Sequence, residues 1–355
     1  MHTDLCRRGL TRLALLAALL PAPAHAEFIL FPQLNQVERR GVAPGINLEE
    51  HEFKPGVDIF YSSDHGRLRL LGEFEILRGK KPKAGTVERL QAGWLLNPDT
   101  TVWLGRHHTP FGYWNTEYHH GSYLQSAVTR PGIIDFGSGA PLARHLTGLL
   151  LESAHAGADE SGLRYSFSVG ASPGVGSGLK EFDILDFNDG NHSWGSILRV
   201  THHWGGAHHT EMGAFAGYML LPGNNATLHE VRQTVLGALG NWEHRRVRVL
   251  GEAYWVNDII DRPAGNASGS FINVNLQVEY KPHEDWVLYA RAEDTFGGDG
   301  DPYLGFFPTF IEQRGLAGVT YMLTPNQAIK LEAADVRLQS DRFTQINLQW
   351  SAAFP

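Results

Sequence analysis

Residues 271–281 have the sequence Phe-Ile-Asn-Val-Asn-Leu-Gln-Val-Glu-Tyr-Lys, in which apolar and polar side chains alternate. Successive side chains of a β-strand point to opposite faces, so this stretch predicts a strand with one apolar and one polar face. The apolar face carries Ile272, Val274, Leu276, Val278 and Tyr280, and the polar face carries Asn273, Asn275, Gln277 and Glu279. Such a strand needs a different environment on each side.

The same period of two recurs along the chain. In residues 67–76 apolar side chains alternate with Arg and Glu, and residues 246–255 repeat the pattern. Two structures would satisfy it: a soluble all-β protein whose apolar faces meet in a core, or a barrel whose apolar face contacts lipid and whose polar face lines a wet interior. Alternation alone does not distinguish these structures.

The number and length of the strands favour the barrel. Many of the sixteen predicted strands have 10 to 13 residues, whereas strands of globular proteins have about half that length. A tilted strand needs about 9–11 residues to cross a membrane. The predicted strands are 27–38, 55–62, 67–78, 86–96, 100–108, 144–154, 162–171, 193–203, 209–220, 228–242, 245–259, 269–281, 285–296, 313–324, 327–338 and 343–354.

The connections between these strands alternate in length. Outer-membrane barrels have short turns at one end and long loops at the other. Sixteen strands would then put both ends of the barrel domain at the short-turn end. Short turns rich in turn-forming residues lie near 62–66, 96–100, 281–284 and 323–326, and longer loops lie near 39–54, 109–143, 172–192, 260–268 and 297–312. We therefore predict an all-β fold, a closed antiparallel transmembrane β-barrel of about sixteen strands formed by residues 27–355.

Three features resemble known outer-membrane proteins. Residues 345–354 alternate and end on Phe354, which resembles the C-terminal signature of bacterial outer-membrane barrels, although Pro355 follows it. The strand count and the longest loop, 109–143 between strands five and six, resemble the general bacterial porins. Residues 104–112, Leu-Gly-Arg-His-His-Thr-Pro-Phe-Gly, are similar to a segment of the phosphate-selective type of porin. The resemblance implies that loop 109–143 folds into the barrel and narrows it.

Residues 1–26 predict a secretory signal peptide. Three arginines, at positions 7, 8 and 12, form a basic start before an apolar run at 13–20, and Ala24-His25-Ala26 fits a cleavage site. We therefore expect export and localisation in the outer membrane of a Gram-negative bacterium. The single cysteine, Cys6, lies in this segment, so the rest of the chain cannot form a disulfide scaffold. The formal charge of -8 argues against a nucleic-acid partner.

Polar-face residues are the candidates for lining a water-filled pore. The wall candidates are Arg67, Arg69, Glu73, Glu75, Arg246, Arg248, Glu252, Arg291, Glu293, Lys330 and Glu332. The candidates for a constriction in the loop are Tyr113, Trp114, Glu117, His119, His120, Arg130 and Asp135. Each wall residue could instead simply pair with a neighbour, and the loop could equally pack on itself at the surface.

The sequence predicts no cofactor, no metal site and no catalytic centre. Four histidine pairs occur, at 107–108, 119–120, 202–203 and 208–209, but adjacent side chains on a strand point to opposite faces and do not chelate together. No His-Glu-x-x-His zinc motif is present. The predicted function is an outer-membrane channel, a porin, through which small hydrophilic solutes diffuse. Lipid would surround the barrel. The sequence does not fix the oligomeric state, and a homotrimer is one possibility. The alternatives are a ligand-specific uptake channel for a sugar, an aromatic acid or a metal complex, and a secreted all-β enzyme or binding protein.

Overall fold

The protein is described by a computed structural model that covers residues 25–44, 46, 48–77, 86–118, 122–135, 139–157, 161–185, 191–205, 210–225 and 227–355. The predicted signal peptide therefore lies outside the described residues, apart from its last two residues. Long strands follow one another along the chain, joined by turns and loops, and they form one continuous sheet. The sixteen wall strands are β1 His25–Arg40, β2 His51–His65, β3 Leu68–Leu77, β4 Thr86–Asn97, β5 Thr100–His108, β6 His145–Ala156, β7 Gly162–Ala171, β10 Trp194–Trp204, β11 Thr210–Asn225, β12 Leu228–His244, β13 Val247–Asp261, β14 Ala267–His283, β15 Trp286–Phe296, β16 Ile311–Thr324, β17 Gln327–Leu338 and β18 Arg342–Ala352.

The sheet closes on itself. Strand β1 pairs antiparallel with β2 on one side and with β18 on the other, and β7 pairs with β10. Every other wall strand pairs antiparallel with its sequence neighbours, so the wall has no free edge. This confirms the predicted fold class and all sixteen predicted strands. The short hairpin of β8 (Gly174–Gly176) and β9 (Gly178–Lys180), in the connection between β7 and β10, was not predicted from the sequence.

Helix is confined to three short segments of the described residues. One α-helical turn, α1, spans Trp114–Glu117, and two 3-10 helices span Gly132–Ile134 and Leu304–Phe306. Among the described residues, no helix is both long enough and apolar enough to cross a membrane.

The outward face of the wall is apolar. On β14 the side chains of Ile272, Leu276 and Val278 are about half exposed, as the alternation predicts. Exposed aromatic rings lie on this face near both ends of the strands, as expected at the two interfaces of a bilayer. Those near the short-turn end include Trp94, Trp204, Trp242, Tyr280, Trp286 and Tyr321, and those near the long-loop end include Trp194, Tyr218, Trp255 and Phe296.

The inward face is polar over much of its area but not throughout. On β14 Asn273, Asn275, Gln277 and Glu279 are all buried, which shows that something covers them inside the barrel. Toward the long-loop end, the inward residues of β11–β18 are largely apolar. They form one core with loop side chains, including Tyr303, Leu304, Phe307 and Phe310 from the connection between β15 and β16. The polar lining predicted for the barrel interior does not extend to this part of the inward face.

Two predicted pore-lining residues do not lie on the wall. Arg67 and Arg246 are exposed in the tight turns that precede β3 and β13. Arg246 donates from Nη1 to the carbonyl oxygen of Pro282 in the neighbouring turn, 2.9 Å away. In the sequence, the alternation continues one or two residues beyond the start of each strand, so it included Arg67 and Arg246. As turn residues at the rim of the barrel, they face water outside the lumen.

The burial pattern predicts how depth controls the effect of a charge on the outward face. Leu276→Arg on β14 places a guanidinium in the middle of the apolar band and should cost about 2–4 kcal/mol of unfolding free energy, whereas Ser270→Arg, on the same face near the loop end, should cost about 0–1 kcal/mol. Denaturant titration of protein folded into lipid vesicles measures both values. Equal costs for the two variants would contradict lipid contact at Leu276.

Candidate functional site: the barrel interior

The segment that links β5 to β6, here named the inner loop (residues 109–144), runs along the inside of the wall. Its described part contacts five consecutive strands, β13 to β17. At its start, Glu252 on β13 accepts hydrogen bonds from the backbone N–H groups of Tyr113 and Trp114, the latter at 2.9 Å. These N–H groups begin α1 and have no partner within such a short helix, so a wall carboxylate supplies the acceptor.

The middle of the inner loop is held by a lysine. Lys330 on β17 donates from Nζ to the carbonyl oxygens of Ser122 and Gln125, the second at 2.5 Å. On neighbouring strands, Thr320 donates to the carbonyl oxygen of Ser126 at 2.7 Å. The loop thus reaches the short-turn end, where the Tyr123 hydroxyl donates to the carbonyl oxygen of Pro325 at 2.5 Å.

The returning half of the inner loop is held by two carboxylates and an arginine. Glu332 accepts from the backbone N–H of Val128 at 2.9 Å, and Glu293 accepts from the N–H of Gly132 at 2.6 Å. Arg291 donates to the carbonyl oxygen of Thr129 at 2.8 Å. An irregular segment has no sheet partner for these backbone groups, so the wall side chains take that role.

Most of the predicted wall candidates on this side therefore do not face open water. The exposed fraction of the residue is 0% for Lys330 and Glu332 and 2% for Arg291 and Glu293, and Glu252 is also buried. The prediction that these five line a pore is wrong, because the inner loop covers them. Arg248 is half-buried, and it donates to the Tyr113 hydroxyl at 2.9 Å and to the Tyr118 hydroxyl.

The predicted constriction residues occupy different surroundings. Tyr113 and Trp114 are buried between the inner loop and the wall, and burial raises the pKa of the Tyr113 phenol to about 12, so it stays neutral beside Arg248. Glu117 is exposed toward the remaining space. Arg130 is buried, and Asp135 lies 3.7 Å from Arg314 of the wall. The predicted residues His119 and His120 lie outside the described residues.

The opposite side of the interior contains an open cavity of about 450 Å³. It is lined by β3 to β7, β10 and β11, and it meets α1 of the inner loop at Thr116 and Glu117. Pro98 and Asp99 of a short turn also line it, so it lies toward the short-turn end. Its charged lining residues are Arg69, Arg89, Asp99, Glu117, Glu152, Arg164, Arg199 and Glu211.

Some of these charges are paired and others face the cavity. Arg199 donates to Glu211 at 2.9 Å and to the Thr116 hydroxyl at 2.7 Å, which joins the wall to α1. Arg89 donates to Glu73 at 2.9 Å. Arg164 and Glu117, in contrast, are exposed. The open space therefore has both basic and acidic side chains at its surface.

A second group of charged residues lies at the loop end of β2–β6. Glu181, in the connection after β9, accepts from Arg106 at 2.7 Å and contacts His145 Nδ1 at 2.6 Å. Burial alone would raise the pKa of Glu181, but the positive charges of His145, Arg144 and Arg106 hold it well below its usual range. The predicted wall residues Glu73 and Glu75 lie close to this group on β3.

Sequence reasoning found part of the open lining and missed the rest. Of the predicted residues, Arg69 and Glu117 line the cavity, and Glu73 pairs with the lining residue Arg89. The lining residues Arg164 and Arg199 were missed, although both lie at polar positions of their strands. The signal was present in the alternation of β7 and β10, where Arg164 shares a face with Ser166 and Arg199 shares a face with Thr201.

The histidine pair at 107–108 separates in the structure, and the pairs at 119–120 and 208–209 lie outside the described residues. His107 contacts the Ser168 hydroxyl at 2.6 Å, whereas His108 lies 3.7 Å from Glu73. Within the described ranges, no group of three or more His, Cys, Asp and Glu side chains could hold a metal ion.

Comparison with known proteins gives structural matches only. No protein-family model and no curated protein matches the chain. The solved structure of the outer membrane channel DcaP of Acinetobacter baumannii matches with a TM-score of 0.60 at 10% identity, over 94% of this chain and 99% of that one.

Two further solved structures match over almost the whole chain. Salmonella typhi OmpF, in complex with daunomycin, matches with a TM-score of 0.58 at 12% identity, over 93% of this chain and 97% of that one. The anion-selective porin from Comamonas acidovorans matches with a TM-score of 0.57 at 11% identity, over 93% and 100%. At this level of identity the matches establish architecture, and the chain has the sixteen-stranded barrel fold of bacterial outer-membrane porins.

Proposed function

We propose that this protein is an outer-membrane channel through which small hydrophilic solutes pass along the half of the barrel that the inner loop leaves open. The observation that carries the proposal is the asymmetry of the interior. The inner loop covers β13–β17, while a charged cavity remains along β3–β7, β10 and β11. A closed barrel with an apolar exterior and a polar, partly open interior suits passage of water-soluble molecules across a membrane.

The porin-fold structures that match this chain support the same function. They include a channel and an anion-selective porin. Export through the predicted signal peptide of residues 1–26 would bring the chain to the outer membrane. The first experiment is single-channel recording in a planar lipid bilayer, where we expect discrete, voltage-independent conductance steps; a folded protein that conducts nothing would contradict the proposal.

Charges exposed in the cavity should set ion selectivity. Arg164→Glu should shift the permeability ratio toward cations, because it makes the local field more negative. Glu117→Gln should shift the ratio toward anions, because it makes the field less negative. A unit charge about 4 Å from an ion in water contributes about 1 kcal/mol, which corresponds to roughly a fivefold change in the ratio. Reversal potentials in a salt gradient measure this change.

The control for selectivity is Arg246→Glu. This variant has the same charge change as Arg164→Glu but lies in an exposed turn outside the cavity. We expect its reversal potential to match that of the unaltered protein. If Arg246→Glu and Arg164→Glu shift selectivity equally, the cavity is not the conducting path.

The wall carboxylates that bind the inner loop should determine how much the single-channel current fluctuates. Glu332→Gln removes a charged acceptor from Val128 and Thr129 and should cost about 1.5–3 kcal/mol for each hydrogen bond weakened. We expect rapid current fluctuations and a higher mean conductance as the loop leaves the wall. Glu230→Gln, a half-buried glutamate on β12, is the control and should conduct normally. Steady, unchanged currents from Glu332→Gln would contradict a role for this anchor.

We further propose a homotrimer whose subunits meet through the outward face of β15–β17. Lipid-facing positions there carry small side chains at Ala290, Ala292, Ala317 and Ala333, with Asp294 beside them. Charged side chains on a lipid-facing surface are destabilising, and small residues allow backbones to approach closely. Contact with another subunit would shield Asp294 from hydrocarbon.

Site-directed cross-linking tests this surface. Ala317→Cys, treated with a short bis-maleimide in membranes, should give covalently linked dimers, because the same position of a neighbouring subunit lies close. Ala238→Cys, an exposed alanine on the outward face of β12, is the matched control and should stay monomeric on a denaturing gel. Equal cross-linking of both variants, or of neither, would contradict the proposed contact.

A further inference from the structure

Three buried oxygen atoms lie near the loop end of β12 and β13 without a hydrogen-bond donor. They are Oδ2 of Asp258, Oδ2 of Asp301 and Oε1 of Gln233. The exposed fraction is 0% for Asp258 and Gln233 and 7% for Asp301. Buried polar atoms normally have partners, and a buried carboxylate without a countercharge is especially costly.

The sheet register brings these three residues together. Asp258 on β13 is the direct cross-strand partner of Gln233 on β12 and of Gly269 on β14. Gln233 donates from Nε2 to Asp258 Oδ1 at 3.1 Å. A Cβ atom at Gly269 would lie only 2.1 Å from Asp301 Oδ2, so the missing side chain of Gly269 makes room for the Asp301 carboxylate. Directly opposed Cβ positions are about 4.5–5.5 Å apart, so the two carboxylates are close neighbours.

The second carboxylate is fixed by its own loop. Oδ1 of Asp301 accepts from the backbone N–H groups of Tyr303 at 2.9 Å and Leu304 at 3.1 Å, which leaves Oδ2 free. The Tyr303 hydroxyl donates to the carbonyl oxygen of Pro141 in the inner loop at 2.6 Å. Whatever binds Asp301 therefore also holds the connection of residues 297–310 against the wall and against the end of the inner loop.

The electrostatics require a positive partner. Asp258 and Asp301 are like charges, and no arginine, lysine or histidine of the described residues bonds to Asp258: its Oδ1 accepts from Gln233, and its Oδ2 has no donor. A cation between the carboxylates, or a proton shared by them, would remove the repulsion. The amide oxygen of Gln233 favours the cation, because a carbonyl oxygen is a ligand for hard cations and is not needed to share a proton.

We propose that Asp258, Asp301 and Gln233 bind one divalent cation of the hard, oxygen-preferring class, with Ca²⁺ as the probe. Two carboxylates match its charge, and the amide supplies a third oxygen. Ca²⁺ tolerates irregular geometry and mixed carboxylate and carbonyl ligands, whereas Mg²⁺ demands a near-ideal octahedron. The bound ion would join β12 and β13 to the connection that covers the loop end of the barrel.

The test uses full-length mature protein refolded into detergent without lipopolysaccharide and stripped with EDTA. Tb³⁺ titration should show one site by luminescence sensitised through neighbouring aromatic rings, and Ca²⁺ should displace it and raise the melting temperature. Asp258→Asn and Asp301→Asn should each weaken Ca²⁺ and Tb³⁺ binding by at least roughly 10- to 100-fold. This is the loss of metal affinity typical when an outer-shell partner is removed, and a direct ligand should matter at least as much. Both variants should lose the Ca²⁺-dependent rise in melting temperature.

Asp299→Asn is the matched control. Asp299 lies in the same connection, two residues before Asp301, but is 88% exposed at its side chain. We expect it to bind Tb³⁺ and Ca²⁺ like the unaltered protein. Equal loss in Asp299→Asn would assign the ion to the surface of the loop and overturn the proposal. A protein that is indifferent to Ca²⁺ and Mg²⁺ but gains stability on acidification would show a shared proton instead, and would also overturn it.

Discussion

The interior of this barrel depends on hydrogen bonds between charged wall side chains and the backbone of the inner loop. An irregular segment inside a closed sheet cannot pair its N–H and C=O groups with a strand, and leaving them unpaired in a buried place is costly. Glu252, Glu293 and Glu332 accept from loop N–H groups, while Arg291 and Lys330 donate to loop carbonyl oxygens. The wall side chains thus supply what a neighbouring strand would otherwise provide. Bringing together the ends of a long loop costs only slowly more as its length grows, so a few such bonds suffice to keep it inside.

The fold could be predicted because each strand of the barrel separates two solvents. Residues 271–281 alternate without error, and the structure places Leu276 outward and Gln277 inward as the pattern requires. The predictions went wrong at strand ends. Arg67 and Arg246 continue the alternation in sequence, but both lie in turns, where period two has no meaning. The hairpin of β8 and β9 was missed because its strands have three residues each, too few to show any period.

The lining of the open half could be predicted only in part, for a physical reason. Alternation tells which side chains point inward, but it does not tell what they meet there. Lys330 and Arg69 both occupy inward positions, yet one lies under the inner loop and the other faces the cavity. The difference depends on where the loop lies against the wall, which is set by contacts distant in sequence. The inward course of the loop itself followed from resemblance, and the buried positions of Tyr113 and Trp114 agree with it.

The two halves of the barrel use the same residue types for different purposes. On the covered half, charged side chains hydrogen-bond to backbone groups of the inner loop. Apolar side chains fill the remaining space toward the loop end, as in the packing of Phe271 against Phe310. On the open half, Arg199 pairs with Glu211 and also donates to Thr116 of α1, so these bonds join the loop to the wall at the border of the cavity. A ring of sixteen strands is wide enough for an aqueous channel. Because the inner loop is attached to one side of the barrel, the remaining path is narrower and has a fixed arrangement of charge. The size and field of that path are then set by where the loop is attached as much as by the residues that line it.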